Sequence, residues 1–241
     1  MTMQEPSHPK RFYDAVSLGM ADGQFSVLLD GRGAKTPARN PLTAPSKTLA
    51  EVIVSEWSAQ GPHIVFRSMP MTGYQMTVLD ASPAEHQAWR AEINRFLASD
   101  LLCYRAEGPV ALVERQATCW DTHLAILAAR FDIALKATAG VIYVDQDPAV
   151  LARAATLIAG LERADLLVAR RLTELTGSAA LGLLGAHGAA SDGAIIEAAQ
   201  LDEVFQAEKW GQDSEAIERR QQIAREISDA VRFRQLVSET A

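Results

Sequence analysis

Cysteine is scarce in this chain: Cys103 and Cys119 are the two in 241 residues, and neither belongs to a CxxC or zinc-spaced set. That excludes a disulfide framework and leads us to expect a reducing compartment. Basic charge is short as well, with 23 Lys and Arg against 30 Asp and Glu and a net charge of -7. Without a concentrated cationic surface to neutralise phosphates, nucleic acid is not expected as a partner. No apolar run approaches the roughly 20 residues that span a bilayer. The opening MTMQEPSHPK has neither the apolar core of a signal peptide nor an Arg-rich amphipathic character. A soluble, cytoplasmic protein with no membrane insertion is expected. Fixed-period repeats and low-complexity runs are also missing.

What is present is ordinary globular composition, 48% hydrophobic and 22% charged, in a length that suits one large or two modest domains. Arg11 to Met20 and Gln24 to Asp30 alternate apolar residues, and the Asp22-Gly23 pair between them signals a hairpin. Phe25, Val27 and Leu29 share one face. The stretch GRGAKTPARNPLTAP is too rich in Gly and Pro for helix, and Pro37, Pro41 and Pro45 make it an ordered loop or edge strand. Ser46 caps a helix reaching about Gln60, with Leu49, Val52, Ile53 and Trp57 at helical spacing and Gly61 as its stop. This helix is expected to cover the hairpin sheet. Pro62 to Pro70 reads as extended and Thr72 to Leu79 as a further helix.

Ser82-Pro83 starts a helix to Ala98, serine as cap and proline in the first turn. From here the chain turns Ala/Leu-rich, which places a domain boundary near residue 82. LLCYRA, Leu101 to Ala106, is a strand or extended connector, a helix runs from about Pro109 to Phe131, and VIYV at Val141 to Val144 is a second short extended piece. Helices follow over Pro148 to Leu161 and Asp165 to Thr176, the latter with Leu166, Ala169, Leu172 and Leu175 inward. Gly177 ends that helix, Ser178 caps the next, Gly188 stops it, and Ser191 starts another. The last helix, from about Ser214 to Val237, turns Ile223, Ile227, Ala230 and Val237 inward and its charges to solvent.

Catalytic signatures fail one by one. Gly31, Gly33, Lys35 and Thr36 lack the spacing of a phosphate loop, because Ala34 precedes the lysine and Pro37 follows the threonine. Cys119 and His123 share a helical face near Asp121, but two ligands do not make a zinc site, and Cys103, His86 and His187 do not complete one. GxSxG, HExxH and cysteine-protease contexts are absent. Asp202 and Glu203 are adjacent, so on a helix they diverge by about 100° and do not form a shared acid/base dyad. No catalytic residue, cofactor or metal is expected. Of the tryptophans, Trp57 is assigned to the core and Trp210 is left open.

The most unusual stretch is LDEVFQAEKWG, Leu201 to Gly211. Helical spacing puts Ile196, Ala199, Glu203, Gln206 and Trp210 in one row, so a carboxylate interrupts an apolar stripe. An unpaired buried carboxylate is expensive. Glu203 must therefore pair within the fold, sit at a rim, or await a partner molecule.

These segments together resemble the assembly chaperones for the alpha subunit of F-type ATP synthase. The resemblance rests on RFY (Arg11 to Tyr13), LDGR (Leu29 to Arg32), KTPA with a following PL (Lys35 to Leu42) and LAEVIVSEWSAQ (Leu49 to Gln60). It continues through MPMT (Met69 to Thr72), DLLCYRA (Asp100 to Ala106), Gln116, Trp120-Asp121, Gly177-Ser178 and LDEVFQAEKWG. Thr122 departs from the pattern, standing where many members place proline. The resemblance implies an α+β protein, with a small β-rich N-terminal domain over residues 1–82 and a larger, mainly helical C-terminal domain over 83–241. It also implies a chaperone that binds newly made alpha subunit, covers the surface later met by the beta subunit, and releases it during assembly, with no turnover. It favours a client-facing role for Glu203, with Asp202, Gln206 and Trp210 as partner-binding neighbours. An internal salt bridge from Glu203 to an arginine stays the alternative. An enzyme with an unrecognised site and a permanent scaffold subunit are the rival functions.

Overall fold

The alternating apolar residues that open the chain form an antiparallel hairpin. The computed structural model describes residues 8–21, 23–211 and 213–239. Strand β1 (Val16–Ala21) pairs with β2 (Gln24–Leu29) in the register Val16↔Leu29 to Ala21↔Gln24. Asp22 of the expected turn lies outside the described residues; Gly23 beside it has φ +77, a conformation glycine adopts without steric penalty. A second Asp-Gly pair makes the next turn. Asp30 and Gly31 both have positive φ, as a two-residue type I′ hairpin requires, and join β2 to β3 (Arg32–Gly33). The Asp30 carboxylate accepts from the Asp14 and Ala15 backbone N–H groups at 3.0 and 2.8 Å, and these bonds hold it below the usual carboxylate range. A short strand β4 (Thr43–Ala44) also pairs with β2.

Ser46 accepts from the Leu49 N–H and starts α1 (Lys47–Ser58), which packs on β1 and β2 through a buried row of Leu49, Ala50, Ile53 and Trp57. The segment after it is extended only in part, since Phe66–Ser68 forms a 3-10 turn. Helix α2 (Pro70–Asp80) has no side-chain cap of its own. Glu56 supplies one from α1, accepting from the backbone N–H groups of Met71 and Thr72 at 2.9 and 2.7 Å. A carboxylate facing free N–H groups at a helix start is electrostatically favoured. At the other end Asp80 accepts from Thr36 Oγ1, the Ala38 N–H and Asn40 Nδ2, pinning the proline-rich loop. The stretch from Gln235 onward counts with this unit, which otherwise ends at Ala81.

The second unit, Ser82–Arg234, is helical. Helix α3 (Pro83–Ala98) opens on a capping box in which Ser82 and Glu85 satisfy each other's backbone N–H groups. A 3-10 turn at Leu101–Cys103 leads into β5 (Tyr104–Arg105), and α4 (Val110–Phe131) follows. β5 pairs in parallel with β6 (Thr138–Ala139), not with the VIYV run expected to be extended: Val141 to Val144 lie beyond the strand and pair with nothing. The β-branched run has strand propensity but no neighbouring edge to receive it. Then come α5 (Pro148–Ala159), α6 (Arg163–Thr176), α7 (Ala179–Ala186), α8 (Asp192–Trp210) and α9 (Ser214–Ser238). Gly177 has φ +71 and ends α6, and Ser178 caps α7. Leu175, Ile223 and Val237, expected inward, are only half-buried.

Helix α7 is the centre of this unit. All eight of its residues are buried, as a helix apolar on every side requires. Its glycines allow α6 to approach: a Cβ on Gly182 would fall 2.4 Å from Thr173 Oγ1 and 2.6 Å from the Ala169 carbonyl oxygen. Asp100, fully buried, closes the N-terminus. It accepts from Ser178 Oγ at 2.7 Å, the Ala180 N–H at 2.9 Å and the Leu102 N–H at 3.0 Å. Burial outweighs these bonds and pushes its pKa up to about 6.

Candidate functional site

The conspicuous stretch Leu201 to Gly211 occupies the second half of α8. Ser191 caps this helix, and Gly211, with φ +89, ends it. Its buried row is Ile195, Ala198, Leu201 and Phe205. The row inferred from sequence lies one residue further on. Ile196 and Ala199 are half-buried, while Glu203, Gln206 and Trp210 are exposed. Glu203 therefore does not interrupt the core face. Helical spacing fixes which residues share a row but not which row faces inward, and this helix carries apolar residues on two adjacent rows.

Asp202 and Glu203 diverge as adjacent helical residues should. Asp202 is half-buried and accepts from Gln116 Nε2 at 2.8 Å. Gln116, itself buried in α4, accepts the Ala106 N–H at 2.8 Å through its side chain, and its carbonyl accepts from Arg105 Nη1 at 3.0 Å. Arg105 also pairs with Asp121 at 2.6 Å and lies 5.2 Å above the Trp120 ring. Trp120 Nε1 donates to the Ala198 carbonyl at 2.9 Å. Arg105, Gln116 and Trp120-Asp121 come from one stretch of the chain and Asp202 from another 86 residues beyond Gln116, and here they form one hydrogen-bonded cluster beneath α8. Glu203 instead pairs with Arg219 of α9 at 3.3 Å, with side chains 46% and 63% exposed respectively. The intramolecular ion pair weighed in the sequence exists, at the surface.

Beside this helix lies an open groove of about 980 Å³ between α4 and α8, lined by Ala111, Arg115, Cys119, Ile196, Leu201 and Val204 among others. Arg115 closes one side of it by pairing with Glu208 at 2.8 Å and stacking 5.3 Å from the Phe205 ring. That pairing holds the Glu208 carboxyl below its ordinary range. Val204 is exposed on the groove and Trp210 is 80% exposed at the helix end. A tryptophan so placed leaves a large apolar area in water. Sequence reading singles out the α8 residues and, separately, the pair Cys119 and His123 on α4, but it does not join them across a groove and leaves Ala111 and Arg115 unmarked. Val110 on α4 and the run Val141, Ile142 and Tyr143 are further exposed apolar residues that it does not assign to a surface. Trp57, by contrast, is core as expected.

The His123 ring nitrogen Nδ1 is engaged by the Cys119 backbone carbonyl at 2.8 Å. Burial pushes the Cys119 thiol up to about 11 and the Cys103 thiol up to about 12, far from a thiolate nucleophile. Among the described residues no three His, Cys, Asp or Glu side chains are grouped to hold a metal ion. Thr36, part of the rejected phosphate loop, spends its hydroxyl on Asp80 at 2.5 Å. No described helix is long and apolar enough to cross a membrane.

Comparison with known proteins gives a consistent result. A family model described as ATP12 chaperone protein matches residues 10–128. The crystal structure of Atp12 from Paracoccus denitrificans superposes with a TM-score of 0.89 at 34% identity, over 95% of this chain and 98% of that one. An Asp-to-Lys point mutant of the Paracoccus protein gives 0.89 at 33% identity, over 96% and 100%. A protein of Agrobacterium tumefaciens with a provisional chaperone assignment gives 0.87 at 36% identity, over 95% and 87%.

Proposed function

The chain belongs to the ATP12 chaperone family, and from that premise we propose that it binds the unassembled alpha subunit of F-type ATP synthase in the cytoplasm and hands it on to the growing catalytic sector. The exposed face of α8 is the client-facing surface in this reading, with Glu203, Gln206 and Trp210 as its contact residues and Asp202, half-buried on Gln116, as the neighbour that ties this face to α4. One observation carries it. A tryptophan that is 80% exposed stands at the end of α8, the helix that also lines the open groove to α4 and carries Glu203 on its exposed side. A packed fold gains nothing by leaving so large a side chain in water.

A client complex of standard size would bury about 1,600 Å² in total, with affinity concentrated in a few anchors. Trp210 and Val204 supply the apolar anchors, and the carboxylates at the rim set orientation and exclude wrong partners. The protein is expected to act by binding alone, without turnover.

The test is suppression of alpha-subunit aggregation, followed by light scattering with purified components. Wild-type protein is expected to suppress it. Glu203→Lys, which repels Arg219 and inverts the rim charge, should abolish the protection while leaving circular dichroism and melting unchanged. Failure of the wild-type protein to protect the alpha subunit sinks the proposal. Unfolding of the Glu203→Lys variant would instead assign Glu203 to structure.

A further inference from the structure

Between β6 and α5 the chain projects a loop whose tip is the most exposed apolar run among the described residues. Val141 is 97% exposed, Ile142 78% and Tyr143 60%, and no other large apolar side chain among the described residues matches Val141. Residues 137–144 carry no charge, in a chain where 22% of residues are charged. Scattered exposed apolar residues are normal, but three in succession form a patch that water disfavours.

The base of this loop is built. Gln146 is buried and clasps Lys136 in both directions: its Oε1 accepts the Lys136 N–H at 2.8 Å and its Nε2 donates to the Lys136 carbonyl at 2.9 Å. β6 pairs with β5 just inside that clasp. Gly140, at φ +80, turns the chain outward and donates its N–H to the Arg105 carbonyl at 2.8 Å. A tip anchored this way does not fold back onto the core it left.

The same base is joined to the α8 surface. Arg105, whose carbonyl holds Gly140, donates to the Gln116 carbonyl, and Gln116 donates to Asp202. The loop and the client-facing helix are therefore tied to one hydrogen-bonded support. We propose that Val141, Ile142 and Tyr143 are a second contact for the client, docking on an apolar surface that the alpha subunit exposes before assembly. This rests on the client reading above. The absence of charge across the tip requires an apolar counterpart, because an ionic one would be desolvated without compensation.

A photo-reactive benzoylphenylalanine placed at Ile142, or separately at Gln206, in the full-length protein tests this with purified unassembled alpha subunit. Cross-links to the alpha subunit are expected from both positions. Ile142→Asp should weaken binding by about tenfold, the loss of one anchor, with no change in melting because the side chain is exposed. A cross-link from Gln206 with none from Ile142, or full affinity in Ile142→Asp, overturns the second contact and leaves the client reading standing. A cross-link from Ile142 to a second copy of this chain, and none to the alpha subunit, overturns it too. Silence from both positions brings down the client reading and this inference together.

Discussion

Helices α7 and α8 follow one another in the chain, each started by a serine that accepts an N–H three residues on. Yet α7 is buried along its whole length, while α8 ends in a tryptophan 80% exposed. Their acidic neighbours differ in the same sense. Asp100 at the head of α7 is sealed from water and satisfied by neutral donors, with Ser178, Ala180 and Leu102 around it. Glu203 on α8 stands in solvent and meets an arginine. The contrast separates two uses of a carboxylate: one closes a core, and the other joins two helices at the surface.

The comparison predicts unequal responses to mutation. Asp100→Ala should be the most damaging, because it strands the Ser178 hydroxyl and two buried N–H groups at about 1–3 kcal/mol each. A fall of several kcal/mol in denaturant-derived stability, about 3–5 in total, is expected. Asp100 also has a pH signature. Burial raises its pKa from 3.8 to about 6, so the folded protein holds this proton more tightly than the unfolded chain does. Its contribution is then full below the unfolded value and is lost as pH rises through about 6. Asp100→Asn, which cannot titrate, should remove that decline from a plot of stability against pH; an unaltered profile would contradict the assignment.

Glycines sharpen the same contrast. Gly182→Ala drives a methyl into Thr173 and the Ala169 carbonyl, and overpacking of this kind costs about 1–3 kcal/mol. A Cβ added to Gly193 on α8 would meet nothing within 4 Å, so Gly193→Ala should stabilise by up to about 1 kcal/mol through helix propensity. Thermal melts of the two variants should move in opposite directions. The smallest effect belongs to Arg219→Ala. An exposed ion pair of this kind contributes about 0–1 kcal/mol, so its melting temperature should stay close to that of wild type while client binding is tested separately.

How much of this is legible in the sequence can be argued from single residues. Ser46, Ser82, Ser178 and Ser191 are caps where local patterning puts them, and Gly177 ends its helix in the left-handed conformation expected of it. The α+β character and the helical second part follow from the same signals and match the Paracoccus structure. Of the candidate surface, LDEVFQAEKWG falls on the second half of α8 and Trp210 is exposed at its end, while the groove across to α4 joins segments far apart in the chain and leaves no trace in either of them. The β-branched content of VIYV reads as extended, and its exposure does not show there, since propensity says nothing about whether a partner strand exists.

What the sequence determined by itself is where most helices begin and stop, because the caps Ser46, Ser82, Ser178 and Ser191 bond residues three further on and need no other part of the chain, whereas α2 borrows its cap from Glu56 of α1. What tertiary structure alone decided is which face each element shows. The inward row of α8, the sealing of Asp100 under α7, the ion pair that takes Glu203 and the outward tip at Val141 all depend on neighbours distant in sequence. Burial is a property of the packed whole, so residues of one type, such as the two carboxylates Asp100 and Glu203, take opposite roles according to what the fold brings against them.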